Sequence, residues 1–106
     1  LGQVLLNVVL NAVQAFPSGP STQNCVRVLG RVGSGGLVLC VEDNGPGIAP
    51  EHLERVFEPF FTTKDDGTGL GLAICRELVT RAHGTIVAQN LPKGGSRFEI
   101  TVPIAK

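Results

Sequence analysis

The sequence carries no surplus of charge. Nine Lys and Arg are matched by nine Asp and Glu, so the chain lacks the basic field that draws a protein to nucleic acid. No apolar run approaches the roughly 18 residues that a membrane-spanning helix needs, and no signal-peptide pattern opens the chain. Contact of this domain with a membrane is therefore not expected, and a cytoplasmic setting is. Cysteine is scarce: Cys25, Cys40 and Cys75 stand far apart. An odd number at such spacing fits neither a disulfide framework nor a CxxC metal site, and points to buried reduced thiols. Two familiar glycine motifs are missing as well. A GxGxxG fingerprint begun at Gly67 would need glycine where Leu72 stands, and one begun at Gly69 would need it where Ile74 stands. The Gly-Lys-Ser/Thr of a phosphate-binding P-loop does not occur.

What remains is one globular domain. The chain has 106 residues, of which 42% are hydrophobic and 17% charged, enough for a single core and too apolar for disorder. Residues 1 to 16 form a helical pattern ended by Pro17 and a "PSGP" loop. That pattern is already running at residue 1 with no capping residue before it, so the chain is expected to be a fragment of a longer protein, cut in or at the lip of this helix. "CVRVLGRV" and "LVLCVED" alternate as strands joined by "GSGG". A turn, "DNGPGI", leads to a short helix "PEHLERVF" with Pro50 at its first position. A second long helix runs roughly from Gly69 to His83, and "GTIVAQN" and "SRFEITVPI" read as a closing hairpin. This order predicts an α+β two-layer sandwich, helices on one face of a mixed, mostly antiparallel sheet.

Three stretches carry candidate chemistry. The first helix has no charged residue, and the first charge in the chain is Arg27. It reads as apolar nearly all round, as a buried helix does. Gln3, Asn7, Asn11 and Gln14 nevertheless fall on one face. Such a stripe either faces solvent or lines a cleft where an amide carbonyl meets a hard cation or an amide meets a phosphate; a solvent face would ordinarily use Lys or Glu, which are better helix formers. In "VEDNGPGI", Asp43 ends an apolar strand and Gly45 and Gly47 follow. This is either an ordinary turn or a carboxylate aimed at a ligand's exocyclic amine, with room for close approach. In "GTGLGLAI", Gly67, Gly69 and Gly71 alternate just before a helix. They serve tight packing, or free amides at the positive end of the helix dipole for a phosphate.

In their order these stretches resemble the motifs of the catalytic, ATP-binding domain of bacterial sensor histidine kinases, within the wider ATPase superfamily that includes gyrase, Hsp90 and MutL. "QVLLNVVLNAVQA" is similar to the family's N box, "VEDNGPGI" to its G1 box, "FEPFFTTK" to its F box, "GTGLGLAI" to its G2 box and "GGSRFEITVP" to its closing strand. The brief link from "TTK" to "GTGLGL" resembles the short-lidded, nitrogen-regulation type. The resemblance implies a Bergerat-type fold that binds ATP with Mg²⁺. It implies that Asn11 ligates the metal, with Asn7 and Gln14 near the phosphates. Asp43 would bond the adenine amino group, Gly45 and Gly47 would make room for the base, and Ile48 would wall it. Thr68 and the amides of Gly69, Leu70, Gly71 and Leu72, in the loop opened by Gly67, would hold the β- and γ-phosphates. Ser96 would support Asp43's water network, and Lys64 would reach the γ-phosphate as a charge clamp.

One position separates the branches of the superfamily. The ATP-hydrolysing members resembled here carry Glu four residues before the magnesium Asn. This chain has Asn7 there, an amide that takes no proton at pH 7. The reading is therefore a kinase: ATP held for transfer to a histidine on a helical dimerisation domain of a homodimeric parent, with a response regulator downstream. Its rivals are an ATP-hydrolysing machine, an anti-sigma-type serine kinase and a degenerate interaction module. Two departures stand out. The usual "HGG" is His83-Gly84-Thr85, and the usual Thr of the closing strand is Ser96. His52 and His83 read as surface or helix-end residues, not phosphoacceptors.

Overall fold

The computed structural model describes residues 2–14, 25–33, 35–59, 61, 71–92 and 94–103. Within them the elements run α1 (Gly2–Gln14), β1 (Val26–Gly33), β2 (Gly36–Asp43), a single 3-10 turn (Pro50–His52), α2 (Gly71–Arg81), β3 (Thr85–Asn90) and β4 (Ser96–Val102). The four strands form one sheet in the order β1-β2-β4-β3. Every pairing among these described strands is antiparallel, and both helices pack on the same sheet. This is the two-layer sandwich that the sequence pattern predicts.

Strand alternation assigns the faces. Toward the helices, the register stacks Val28, Val41, Phe98 and Ala88 in one row and Gly30, Leu39, Ile100 and Ile86 in the next. Against these rows α1 lays Val4, Val8 and Ala12, one turn apart, and α2 lays Cys75 and Val79, all buried. The opposite face is polar at one end. There Arg97 lies 3.7 Å from Glu42 and 3.5 Å from Glu99, and donates to Gln89 Oε1 at 2.9 Å. Ile100 is fully buried at the centre of the core. An Ile100→Val protein is expected to lose about 1 kcal/mol of stability for one missing methyl, measured by urea denaturation.

Three expectations change. The stretch after Pro50 is not a full helix: one 3-10 turn gives way to successive turns through residue 57. The reason lies in its anchor, Phe57, which turns into the core to meet the Phe98 ring edge-on at 6.0 Å. The first helix is not buried all round. Leu6, Leu10 and Val13, on the side away from its buried stripe, are exposed. Of the three cysteines only Cys75 is buried, while Cys40 is half-buried and Cys25 exposed, because the latter two sit on the outer face and at the end of the sheet.

At the His83-Gly84-Thr85 departure α2 ends in a capped turn. His83 takes a left-handed φ of 63°, its N–H donates to Thr80 O, and Gly84 N–H donates to Val79 O, each at 2.9 Å. That is a Schellman ending with histidine where glycine is usual. The next strand then starts at once, Thr85 opposite Thr101.

Candidate functional site

In the last row of the sheet on the helix-facing side, Asp43, Ser96 and Asn90 are polar beside Val26. Val26 pairs with Asp43 and Asn90 pairs with Ser96. Since Glu42 pairs with Arg97, the next step along both strands sets Asp43 beside Ser96. Both are almost wholly buried, at 4% exposure each. A carboxylate so buried must be hydrogen-bonded. Asp43 Oδ2 accepts from the Ser96 hydroxyl at 2.7 Å, and Oδ1 from Gly45 N–H at 2.9 Å. Each carboxylate oxygen has a second lone pair, so Asp43 keeps capacity for a further donor.

The turn after Asp43 is tied down on both sides. Toward β1, Cys25 N–H donates to Asn44 Oδ1 at 2.7 Å and Asn44 N–H to Cys25 O at 3.2 Å. Toward β3, Ile48 N–H donates to Asn90 Oδ1 at 2.8 Å, and Asn90 Nδ2 donates to Ile48 O at 2.6 Å. Gly47 has φ +83°, and a Cβ there would stand 3.0 Å from Asn90 Oδ1. Ile48 meanwhile packs its side chain against the core. Asn90 was not legible as a site residue: it looks like the polar end of a strand, and only the fold carries its amide to a turn 42 positions earlier.

Of the α1 amides, Asn7 and Asn11 are half-buried and Gln3 is exposed, so the stripe is neither wholly solvent-facing nor wholly enclosed. Asn7 lies where α1 meets α2. There the Cys75 thiol donates to Val4 O at 3.7 Å. Burial pushes that thiol above its ordinary pKa, and a hydrogen bond with the Asn7 side chain pulls the other way. Cys75 is one helical turn beyond Gly71, so the chain brings the first-helix amide alongside the start of α2. Gly71 and Leu72 open that helix, Gly71 exposed and Leu72 packed against the core; the first amides of a helix have no partner within it. The Gln14 side chain, Lys64, Gly67, Thr68, Gly69 and Leu70 lie outside the described residues. Phe57 is buried, Phe61 is half-buried against His52 with ring centroids 5.1 Å apart, and Phe60 lies outside the described residues.

At this end of the sheet a buried acceptor with spare capacity thus stands beside a glycine turn. Comparison with known proteins identifies the family. The family model described as histidine kinase-, DNA gyrase B-, and HSP90-like ATPase matches residues 1–106, and the chain belongs to that family. Sensor histidine kinase ZraS of Escherichia coli O157:H7 is 41% identical over 104 residues, 98% of this chain and 22% of the relative. The C4-dicarboxylate transport sensor protein DctB of Rhizobium meliloti (strain 1021) is 46% identical over 94 residues, 89% of this chain and 15% of the relative. The chain thus spans about a fifth or less of these relatives' length. Among solved structures, the catalytic domain of histidine kinase ThkA superposes with a TM-score of 0.82 at 35% identity, covering 95% of this chain and 64% of that one. Full-length ShkA in complex with AMPPNP gives 0.77 at 33% identity, covering 98% and 22%. ThkA in complex with response regulator protein TrrA gives 0.77 at 32% identity, covering 97% and 28%.

Proposed function

We propose that this domain binds ATP with Mg²⁺ and presents the γ-phosphoryl group to a histidine on a helical dimerisation domain of the same parent protein. In that step the bond from the γ-phosphorus to its bridging oxygen breaks as a bond from phosphorus to an imidazole nitrogen forms; ADP leaves and the imidazole loses a proton. The parent acts as a homodimer in the cytoplasm, itself membrane-anchored or not, and passes the phosphoryl group to a response regulator. Among the described residues no helix is long and apolar enough to cross a membrane.

The observation that carries this reading is the buried Asp43–Ser96 hydrogen bond, at 2.7 Å. It holds a carboxylate in place, without using up its lone pairs, above a turn that glycines keep open. Adenine's amino group is the donor such an acceptor selects. Asn11 supplies the hard carbonyl oxygen that suits Mg²⁺, and bound there the ion would neutralise phosphate charge. Asn7, Gln14, Lys64 and the run from Gly67 to Leu72 are assigned to the phosphate end. Asn7 also supports transfer over hydrolysis, because an amide has no means of deprotonating water. That ShkA was captured with AMPPNP and ThkA with a response regulator supports the ligand and the downstream partner. Phosphoryl transfer asks the protein mainly for positioning and charge neutralisation, so the domain alone should bind ATP with little turnover.

Calorimetric titration of ATP and ADP with and without Mg²⁺ tests the reading. The unmodified domain should bind both, more tightly with the metal. Asn11→Ala should keep the fold and lose the metal-dependent part, about tenfold in affinity. An unchanged Mg²⁺ dependence in that variant would refute the ligand role, and brisk ATP hydrolysis by the domain alone would favour the hydrolase branch.

A further inference from the structure

Resting on the nucleotide reading above, we propose that Asn90 is a positioning residue that sets the base-binding turn, holding the main chain of Ile48 where the base would lie. Its side chain bonds both the N–H and the C=O of that one residue, at 2.8 and 2.6 Å. A neighbouring strand would offer the same pair of contacts. Here β3 has ended at Asn90, and the carboxamide continues the ladder sideways onto a segment with no regular structure. Few side chains can do this. Asparagine presents a donor and an acceptor side by side. Aspartate at this position would lose the donor and set its charge against Ile48 O, serine would reach with a single atom, and glutamine would set the amide a methylene further out.

The bonds are exposed, which identifies what they are for. Water could satisfy either partner, so removing them leaves no buried group without a bond and costs the fold little. Water could not keep Gly47 and Ile48 in register with Asp43. Three observations join at this point: the bidentate amide, the left-handed Gly47 whose Cα faces the amide oxygen, and the Ile48 side chain packed on the core. Together they make residues 47 and 48 a rigid ledge beside the buried carboxylate. A ledge serves the base of a nucleotide and has no bearing on its phosphates.

That division gives the test. Asn90→Ala and, as a variant that preserves size, Asn90→Asp are titrated with ATP, with adenosine and with inorganic tripolyphosphate, each in the presence of Mg²⁺. For both variants ATP and adenosine should weaken together, by about tenfold, while tripolyphosphate binds as before and the melting temperature barely moves. A role confined to folding would move the melting temperature and all three ligands alike, and that result overturns the inference. So does ATP affinity within twofold of the unmodified protein. If the unmodified protein binds tripolyphosphate but neither ATP nor adenosine, the nucleotide reading itself falls and this inference with it.

Discussion

An Asp43→Asn protein should fold normally and lose its preference for ATP over GTP. The two protein partners of Asp43 can both live with the change. Gly45 N–H can donate to the new amide oxygen as it does to Oδ1 at 2.9 Å, and the Ser96 hydroxyl, at 2.7 Å from Oδ2, can rotate to accept from the new NH₂. A hydroxyl serves as donor or acceptor, so no buried group is left without a bond. The ligand has no such freedom. Adenine's amino group would now face a donor, while guanine carries a carbonyl at the corresponding position. ATP affinity is expected to fall by about tenfold to a hundredfold, with GTP gaining relative to it, in competitive binding measurements. A variant that keeps the parent's preference would remove Asp43 from the base site.

Gly95→Ala should do the opposite and damage fold and site together. Gly95 has φ +92°, and a Cβ there would stand 1.9 Å from Asp43 O, 2.9 Å from Asp43 C and 3.0 Å from the Asn44 Cα. All three are main-chain atoms, so no side chain can swing away to relieve the contact. Left-handed strain in a residue other than glycine and forced overpacking each cost roughly 1–3 kcal/mol. The expected loss is therefore about 4 kcal/mol, a large share of the stability of a domain this size. Urea denaturation reads the first effect and ATP titration the second. Stability within about 1 kcal/mol of the parent would show that the turn and Asp43 can part without cost.

The fold was legible because its signals are local. The "GSGG" link and the alternation of "LVLCVED" and "SRFEITVPI" each act over a few residues, and the strands fall within a residue or two of their expected ends. Asp43 stood out by its own turn, but Ser96 was legible only through resemblance, since nothing local shows that positions 53 apart share a hydrogen bond. Asn90 was not legible at all. Its role depends on the register of β3 on β4 and on where the acidic turn passes, neither of which leaves a mark in the strand's own sequence. The burial of the first helix was over-read for a related reason. Its pattern is apolar on several sides, and only the packing partners decide which of them is covered: Val4, Val8 and Ala12 are, while Leu6, Leu10 and Val13 are not.

The polar last row of the sheet has a consequence for folding. Asp43, Asn90 and Ser96 come from three strands: pairing of β2 with β4 brings Ser96 to Asp43, and only the pairing of β3 on β4 adds Asn90. A slip of one residue in β4 would turn Ser96 to the opposite face and bring Arg97 toward Asp43. The core would notice as well, since Phe98 and Ile100 would leave it. A half-assembled sheet thus offers the acceptor without the turn that Asn90 holds, and a ligand that needs both reports that all three strands have closed in register. The architecture acts as its own proofreader.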